Sequence, residues 1–391
     1  MNGPLQSWQM SAIRSSMERY RNAQEDYYGK GKALVEVEGG YKAFSLITPP
    51  LGSPATRRRI RRIVDNMVQS SHNGLTTAAR TPHVITVAVT YNCQCDCAHC
   101  SALDYRQQTA QNGHALTYDE LSSSIEQAVE LGTTCVILTG GEPLVHPRIC
   151  DLIRGVDRTR SVCTMFTNGE LLVEPMVAKL KAAGLYGAFV SIDHPDAAQH
   201  DLNRGRPGLF AKATRGLKLC REAGLLTGIS TYATREKILS GELDAMMELA
   251  RELDVLEVFL FDVIPTGRLS QQRECLLTDE EAAQIGEFRQ RYGEKPDYPR
   301  IVHQTMFASI AYPCVAEGCP AAMVQVHLRA NGDVSPCDFT PYSFGNIRNQ
   351  SLREIWENMA GHPLYAEPSA RCRLSKPEFW TKLEQLTPRQ A

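Results

Sequence analysis

The sequence predicts an α/β fold with a mainly parallel sheet, and three observations support this. Apolar or β-branched segments alternate with helical patterns between residue 84 and about residue 270. Six such segments occur, separated by stretches long enough for the crossover helices that parallel strands need. The hydrophobic share of 43% is ordinary for a globular chain with a substantial core. The expected sheet is either doubly wound or curled into an incomplete barrel.

The predicted strands share six to eight positions rich in apolar, β-branched or aromatic residues. They are 83–90, 135–140, 162–168, 187–193, 227–233 and 258–264. Helical patterns lie between them near 118–131, 147–157, 173–184, 209–223 and 242–252. A further helix is predicted near 278–291, and "GEKPDYPR" after it marks a boundary. In both architectures, functional residues gather where strands end and loops begin.

Residues 1–83 are predicted to form an accessory region with a helix–hairpin–helix order. A charged helix is expected near 7–27, and two alternating strands around Gly39-Gly40 give a hairpin signal. A second helix follows "PPLGSP" and carries five arginines between 57 and 62. Such a run can bind an acidic partner or a membrane surface, but it more often forms a solvated helix face.

Charge and hydropathy exclude several classes of protein. The formal net charge is −2, so no overall field attracts the chain to nucleic acid or to a membrane. The first thirty residues carry charges throughout and lack the apolar segment of a signal peptide. No apolar run reaches the ~18 residues that a membrane span needs. We therefore expect a cytoplasmic protein with no nucleic-acid partner and no transmembrane segment.

The thirteen cysteines are unevenly placed along the chain. In a reducing compartment, closely spaced cysteines more often bind metal or do redox chemistry than form disulfides. Four lie within 93–100 and four more in the last quarter of the chain. The other five are predicted to be small buried hydrophobic side chains. These are Cys135, Cys150, Cys163, Cys220 and Cys275.

The first group of cysteines, "NCQCDCAHC", directly follows the first predicted strand. Cys93, Cys97 and Cys100 have the spacing C-x3-C-x2-C, and thiolates are soft ligands suited to iron–sulfur clusters or zinc. A zinc site usually takes four ligands from two pairs, and no second pair lies within about 200 residues. Three thiolates on a cubane cluster leave one iron open for chemistry. Cys95 falls inside the first gap and is predicted to be a bystander that points away.

Further motifs follow the next predicted strands. The second strand ends in "LTGGEP", where Gly140 and Gly141 let the backbone approach a ligand and Glu142 supplies a carboxylate. The third ends in "FTNG" and the fourth in "SIDHP". In this order behind the cysteine triplet, these motifs resemble the signature of the radical S-adenosylmethionine (SAM) superfamily.

The resemblance implies a partial (β/α)6 TIM-like barrel whose cysteine triplet holds a [4Fe-4S] cluster, with SAM on the open iron. One electron, supplied by an external reductant of the flavodoxin or ferredoxin type, would cleave SAM to methionine and a 5′-deoxyadenosyl radical that takes hydrogen from a substrate. At position 99 the family often has an aromatic residue near adenine, and here it is histidine. The positions implied to contact SAM are His99, Gly140, Gly141, Glu142, Pro143, Thr167, Asn168, Ser191, Asp193, Ser230 and Ile264.

The second group of cysteines resembles the SPASM/Twitch extension of radical SAM enzymes. Cys319, Gly332 and Cys337 have the pattern C-x12-G-x4-C, followed by "FGN" and a closing "LREIW" helix. Because Cys372 is the only later cysteine, the resemblance favours one auxiliary [4Fe-4S] cluster, and a structural zinc is the alternative. The ligands implied for this auxiliary cluster are Cys314, Cys319, Cys337 and Cys372.

Three units are therefore predicted: an accessory region (1–83), a radical SAM core (84–295) and a SPASM/Twitch-like auxiliary domain (296–391). The expected activity is a redox-linked oxidation or epimerisation of a small molecule, such as an amino sugar or cofactor precursor. The alternative is a maturase of a ribosomally made peptide. A cluster-bearing electron carrier or a zinc-binding protein without turnover is the non-enzyme alternative.

Overall fold

The computed structural model describes residue 18 and residues 31–32, 34–72, 80–112, 115–306 and 318–386. Apart from residue 18, the helix predicted near 7–27 lies outside these residues. Within the part of the chain that the structure describes, no helix has both the length and the apolar character of a membrane span.

The strands form a small hairpin and one large sheet of ten strands. The hairpin pairs β1 with β2 in the predicted place around Gly39 and Gly40. The strands are β1 (Val35–Val37), β2 (Tyr41–Ala43), β3 (Val84–Thr90), β4 (Cys135–Gly140), β5 (Val162–Thr167), β6 (Gly187–Ser191), β7 (Leu226–Ala233), β8 (Glu257–Asp262), β9 (Arg300–His303), β10 (Gln325–Leu328), β11 (Asp333–Ser335) and β12 (Gly345–Asn346).

Helices follow most of the strands and cover the outer face of the sheet. Those expected between the strands are all present. Three further helices between the strands, near 103–112, 197–204 and 235–240, were not predicted, and neither were the two last helices, Pro363–Ala366 and Pro377–Leu386. The helices are α1 (Pro54–His72), α2 (Leu103–Asn112), α3 (Tyr118–Leu131), α4 (Ile149–Gly155), α5 (Glu174–Ala183), α6 (Ala197–Arg204), α7 (Leu209–Glu222), α8 (Arg235–Ser240), α9 (Glu242–Glu252), α10 (Asp279–Gly293), α11 (Leu352–Gly361), α12 (Pro363–Ala366) and α13 (Pro377–Leu386).

The large sheet has the strand order β12-β11-β10-β3-β4-β5-β6-β7-β8-β9. The six predicted strands are its centre, β3 to β8, and they are parallel to one another. β9 and β10 extend the parallel part on either side, because β9 pairs with β8 and β10 pairs with β3. In the described residues β9 and β12 stay unpaired on one side, so the sheet is open, as expected for a partial barrel.

Two apolar layers surround this sheet. The larger lies between the sheet and the outer helices. The smaller fills the inner face near the strand starts, where Phe189 and Phe259 pack against Leu46 and Ile47 of the segment after β2. This segment therefore closes the amino-terminal end of the barrel and leaves the carboxyl ends of the strands for ligands.

The arginine-rich helix α1 packs against the same closed end. Arg59 is only 1% exposed, and Arg58 donates to the carbonyl oxygens of Thr133, at 2.9 Å, and of Val129. Arg57, Arg61 and Arg62 remain on the exposed face. The run therefore serves in part to dock the accessory region, and in part forms the solvated face that the sequence favours.

The C-terminal segment continues the core sheet through β10 and then turns back as β11 and β12. Its helix α11 contacts the core through Trp356, whose indole N–H donates to the Arg80 carbonyl at 3.3 Å. Arg348 pairs with Glu120 at 2.6 Å. The division at residue 295 remains a prediction, because strands from both sides of it share one sheet.

Three of the five cysteines predicted to be structural are buried in the core, namely Cys135, Cys163 and Cys220. Cys150, near the start of α4, and Cys275, in a loop, are only partly buried. The prediction of burial therefore holds only in part for these two, although Cys150 still packs against the outer core.

Candidate functional site

A cavity of about 250 Å³ opens where the parallel strands end. Parallel strands present the loops that follow them at one edge, which is where α/β barrels place ligands. All three cysteines of the predicted triplet line this cavity. The predicted SAM-contact residues that line it are His99, Gly140, Gly141, Thr167, Asn168, Ser191, Asp193, Ser230 and Ile264.

The cysteine loop after β3 is fixed by backbone hydrogen bonds on two sides. Asp96 and Ala98 donate their N–H groups to the carbonyls of Arg204 at 3.0 Å and Asn203 at 2.8 Å, which end helix α6. On the other side, the Arg268 N–H donates to the Cys100 carbonyl at 2.9 Å. The triplet is therefore held by the fold itself at the mouth of the strands.

Cys95 does not point away as predicted. It is buried, lines the same cavity, and its backbone N–H lies 3.5 Å from the sulfur of Cys93. Its thiol hydrogen-bonds to Cys93 and Cys97. The loop path fixed by α6 turns all four cysteines of 93–100 inward, and sequence spacing alone does not reveal this.

Two arginines that sequence reasoning did not single out lie beside the triplet. Arg204 Nη1 is 3.8 Å from the Cys97 sulfur, and Arg106 Nη1 is 3.8 Å from the Cys100 sulfur. Hydrogen bonding by Cys95, together with the charges of these arginines, lowers the pKa of the Cys93 thiol. The surroundings of Cys93 and Cys97 therefore favour the thiolate, the form that binds iron, whereas burial raises the pKa of the Cys100 thiol.

Gly140 and Gly141 form a close backbone contact at the end of β4. A Cβ atom on Gly140 would lie 2.1 Å from the Thr90 carbonyl oxygen, and one on Gly141 would lie 2.3 Å from that of Asn92. Gly140 also has a φ of +126°, which side-chain-bearing residues rarely adopt. Only glycine fits at either position, so the loop after β4 can lie directly against the start of the cysteine loop.

Glu142 and Pro143 are predicted SAM contacts that the structure places outside the cavity lining. The Glu142 carboxylate is fully buried, and it accepts hydrogen bonds from the Asn168 N–H and the Thr167 hydroxyl, both at 2.7 Å. These bonds join the loops after β4 and β5. Burial raises the pKa of Glu142 to about 7. The carboxylate therefore braces the two loops, and contact of Glu142 and Pro143 with SAM stays a prediction.

Asp193 carries a fixed negative charge at the end of β6. It is fully buried and accepts from Arg204 at 2.6 Å and 2.5 Å in a bidentate pair. Burial alone would raise the pKa of Asp193, but the guanidinium charge and hydrogen bonds of Arg204 hold it well below its usual range. Arg204 therefore connects this carboxylate to the cysteine loop.

A neutral aromatic wall stands beside Asp193. The His99 and Tyr232 ring centroids are 4.3 Å apart, and Lys237 Nζ lies 4.0 Å from the centre of the Tyr232 ring. Burial lowers the pKa of His99 to about 4, so its ring is uncharged at neutral pH. The two rings are tilted by 42° to each other, and the face of either uncharged ring can stack with a heterocycle.

Another part of the cavity wall is built by residues that the sequence did not single out. Asp262 accepts from His303 Nε2 at 2.8 Å and from Gln304 Nε2 at 3.1 Å. Asp338 accepts from Thr86 at 2.9 Å and Gln325 at 2.8 Å. The aromatic residues lining the cavity here are Phe166, Phe259, Phe261 and Phe339. The position of Asp262 near the carboxyl end of a predicted strand could have identified it as a candidate site residue.

Three of the four cysteines implied for the auxiliary site come together in the part of the molecule next to Asp262. The thiols of Cys319 and Cys372 hydrogen-bond to each other, and Cys337 lies within electrostatic reach of both. The Cys337 sulfur is also 3.2 Å from the Thr340 hydroxyl oxygen. Cys314 lies outside the described residues.

The chemistry of both cysteine sets fits iron–sulfur clusters. The first set presents its thiols from one loop and has two guanidinium groups 3.8 Å from its sulfurs, and the second set brings thiols together from three separate segments. Among the described residues, no three histidine, cysteine or acidic side chains close on a single metal ion.

Comparison with known proteins agrees with this geometry. Residues 87–250 match the model of the radical SAM superfamily, and residues 319–373 match that of the SPASM iron–sulfur cluster-binding domain. The chain is 32% identical over 293 residues to the AdoMet-dependent heme synthase of Methanosarcina barkeri, covering 71% of this chain and 82% of that protein. The chain belongs to the radical SAM superfamily.

Two further radical SAM comparisons concern peptides. The chain is 27% identical to the PqqA peptide cyclase of Gluconobacter oxydans over 70% of this chain and 76% of that protein. The structure of SuiB from Streptococcus suis bound to its precursor peptide SuiA superposes with a TM-score of 0.60 at 16% identity, covering 79% and 70% of the two chains. At this identity the structural likeness shows the shared fold.

Family membership settles the class of protein and its cofactors. The chain is a radical SAM enzyme that uses a [4Fe-4S] cluster with SAM, and its SPASM domain carries an auxiliary iron–sulfur cluster. The alternatives of a non-catalytic electron carrier or a zinc-binding protein are therefore excluded.

Proposed function

We propose that Cys93, Cys97 and Cys100 hold the cluster that binds SAM. We also propose that the enzyme oxidises or epimerises a small molecule bound in the same cavity. The single observation that carries this proposal is the convergence of the triplet, the glycine contact at Gly140 and the Asp193–Arg204 pair on one cavity. When bound, the cluster and SAM supply the 5′-deoxyadenosyl radical that takes hydrogen from the substrate.

The chain's own residues would bind and orient SAM. The uncharged His99–Tyr232 wall offers a stacking surface for adenine, 4.3 Å between ring centroids. Ser191 and Ser230 lie beside it on the cavity wall, with their hydroxyls 3.0 Å apart, and can hydrogen-bond to polar groups of SAM. Gly140 and Gly141 expose backbone groups without a side chain in the way. Glu142 contributes indirectly, by fixing the loops on either side.

The auxiliary cluster is proposed to lie on Cys319, Cys337, Cys372 and Cys314. Four protein ligands would leave it no open iron, which suits electron transfer rather than substrate binding. Its cysteines lie close to Asp262, since the charges of Asp262 and Cys372 interact. If a substrate radical forms near Asp262, the auxiliary cluster would therefore be a nearby acceptor for the electron that an oxidation removes.

A small-molecule substrate is supported by the haem synthase relative, whose printed product is itself a cofactor. A peptide substrate is the second candidate, and the peptide cyclase relative favours it. Both share the steps that this cavity supports, namely SAM binding and hydrogen abstraction. An external one-electron reductant is required in either case.

Iron content tests the assignment of the two clusters. The anaerobically reconstituted full-length protein should hold about eight irons, and a variant with alanine at 93, 97 and 100 should hold about four. Cys337→Ala should likewise hold about four. If the triple variant kept all of its iron, the assignment of the SAM cluster to Cys93, Cys97 and Cys100 would be wrong.

A further inference from the structure

We propose that Lys237, a buried lysine that does not itself line the cavity, is a positioning residue for SAM. It fixes the Tyr232 ring, and with it the stacking surface that Tyr232 forms with His99. This inference rests on the proposed function, because it concerns the surface assigned there to adenine. It is carried by the contacts of the Lys237 ammonium, by the ring contacts beside it and by the direction in which Tyr232 points.

The Lys237 ammonium is held by three separate elements. Lys237 lies in α8 and is only 5% exposed, and lysine is rarely buried to this extent unless it is paired. Its Nζ donates to the Asp193 carbonyl oxygen, just after β6, and pairs with Glu242 Oε1, at the start of α9, at 3.1 Å. The centre of the Tyr232 ring, near the end of β7, lies 4.0 Å from the same Nζ atom. These contacts fix the ammonium in one place.

The Tyr232 ring is restrained by two partners. Besides the ammonium of Lys237, the imidazole of His99 lies against it, with ring centroids 4.3 Å apart. Contacts this close to a ring centre lie over a ring face rather than at its edge. A tilt of the Tyr232 ring would therefore weaken its contacts with both Lys237 and His99.

Tyr232 points into the cavity. It has the strand parity of Ser230, which lines the cavity, and the opposite parity to Ile229 and Ala233, which belong to the outer core. His99 also lines the cavity, and 22% of its side chain is exposed. A ligand can therefore reach the ring surface, whereas the lysine that restrains it lies outside the lining.

The same lysine sets the ring surface relative to the cysteine triplet. His99 lies between Cys97 and Cys100 in the sequence, and its Nε2 is 3.6 Å from Asp193 Oδ2. Lys237 binds the backbone carbonyl of this aspartate. Lys237 and His99 thus share Asp193 as an anchor, so the place of adenine relative to the cluster depends on the lysine.

Release of 5′-deoxyadenosine by reconstituted, dithionite-reduced, full-length protein tests the proposal over a range of SAM concentrations. Lys237→Met keeps the length of the side chain and removes its charge, so the KM for SAM should rise about tenfold. The kcat at saturating SAM and the iron content should stay within about twofold of wild type, because the cysteine ligands are untouched. Lys237→Arg keeps a cation, and its KM should stay within about threefold of wild type.

The matched control is Lys181→Met. Lys181 is an exposed lysine of α5 whose Nζ also donates to a backbone carbonyl, that of Gly224, at 2.7 Å. This substitution should change neither the KM nor the kcat. A rise in KM equal to that of Lys237→Met would show that the effect does not depend on the position of the lysine.

A second variant tests whether Lys237 acts through Tyr232. Tyr232→Leu alone should raise the KM for SAM at least about tenfold, because it removes part of the stacking surface. Lys237→Met added to Tyr232→Leu should raise the KM less than about threefold further, because residues that act through one contact are not additive. A merely structural lysine would instead raise the KM by the same factor in both backgrounds.

Full additivity, an unchanged KM in Lys237→Met, or a loss of its iron would overturn the proposal. Wild-type protein keeps this claim separate from the proposed function. If wild type releases 5′-deoxyadenosine and the variants lack the predicted pattern, only the role of Lys237 is wrong. If cluster-loaded wild type releases none, the proposed function is wrong as well.

Discussion

Arg204 links three parts of the candidate site through one side chain and one carbonyl. Its guanidinium binds both oxygens of Asp193, its Nη1 lies 3.8 Å from the Cys97 sulfur, and its carbonyl holds the Asp96 N–H. The sequence showed Asp193 at a strand end but gave no reason to choose Arg204, because the pair forms only when α6 folds back over the cysteine loop.

Removing the partner of this arginine should be costly. Asp193→Asn leaves the Arg204 charge buried with only a neutral amide beside it, which we expect to reduce the free energy of unfolding by about 3–5 kcal/mol. Urea unfolding of the cluster-free protein measures this loss. Glu174→Gln is the control, since its 4.0 Å pair with Arg215 is exposed and should be dispensable. Equal stabilities of the two variants would contradict the assigned role of the buried pair.

The cysteines at 93–100 make a second prediction at this scale. Cys95→Ser should keep the iron content and SAM cleavage of wild type, because a hydroxyl can still hydrogen-bond to Cys93 and Cys97. Serine at 93, 97 or 100 should lose the iron of the SAM cluster. Iron analysis after reconstitution compares the four variants. Loss of iron in Cys95→Ser would make Cys95 a ligand and one of the predicted three a bystander.

The ligand spacing of the triplet was readable from the sequence, but the orientation of Cys95 and the occupation of Glu142 were not. Both depend on contacts with distant loops: α6 for the cysteine loop, and the Thr167–Asn168 turn for Glu142. Local patterns identify residue types at strand ends, whereas hydrogen bonds across loops decide which of them face the ligand.

Among the structural elements, the turn after β4 depends most strictly on sequence. Gly140→Ala places a methyl group 2.1 Å from the Thr90 carbonyl at a φ of +126°, so we expect a loss of at least about 2 kcal/mol of stability. SAM binding should weaken in the same variant, because the turn lines the cavity. Calorimetry with SAM and urea unfolding measure the two effects.

A matched glycine in a helix gives the control for this substitution. Gly286 lies in α10, where an added Cβ meets nothing within 4 Å. Gly286→Ala should therefore raise the stability by about 0.5–1 kcal/mol. If Gly140→Ala behaved like Gly286→Ala, the close contact between the β4 turn and the cysteine loop would not exist in solution.

The segment that closes the barrel predicts a pH dependence through Glu257. This residue, at the start of β8, is fully buried, and its Oε1 accepts from the Leu46 N–H at 2.7 Å. Burial raises its pKa from 4.5 to about 7. The folded state thus favours the protonated acid, so stability from this group is fully present below pH 4.5 and is lost as the pH rises through about 7.

Glu257→Gln mimics the protonated acid and should remove this loss. At pH 8 the variant should be about 3 kcal/mol more stable than wild type, and at pH 4 the difference should nearly vanish. Urea unfolding at the two pH values measures it. A variant that is destabilised equally at both pH values would show that Glu257 is ionised and paired in the folded state.

The six central strands were predictable because each is a largely buried run of mostly apolar or β-branched residues, typical of parallel sheets covered by helices. β9 and β10 were not, since "RIVH" and "QVHL" are four residues long and contain polar side chains. Their side chains hydrogen-bond to residues of the cavity wall: His303 to Asp262 and Gln325 to Asp338, both at 2.8 Å. The edges of the sheet therefore carry the part of the site that sequence patterns reveal least.

In the whole molecule, the cysteine triplet lines the cavity, whereas Cys319, Cys337 and Cys372 lie outside its lining. This arrangement predicts separable functions. Cys337→Ala should retain release of 5′-deoxyadenosine from SAM while it loses about four irons. Its matched control is Cys220→Ala, which removes a buried thiol of the core and should retain both clusters. If Cys337→Ala lost SAM cleavage, the two sites would be coupled.

The central claim is that Cys93, Cys97 and Cys100 hold the cluster that cleaves SAM. The most direct test is the release of 5′-deoxyadenosine by reconstituted, dithionite-reduced protein incubated with SAM and followed by chromatography. We predict release by wild type and Cys95→Ser, and none by Cys97→Ser or Cys100→Ser. Absence of 5′-deoxyadenosine from cluster-loaded wild type, or its undiminished release by either of the last two variants, would contradict the claim.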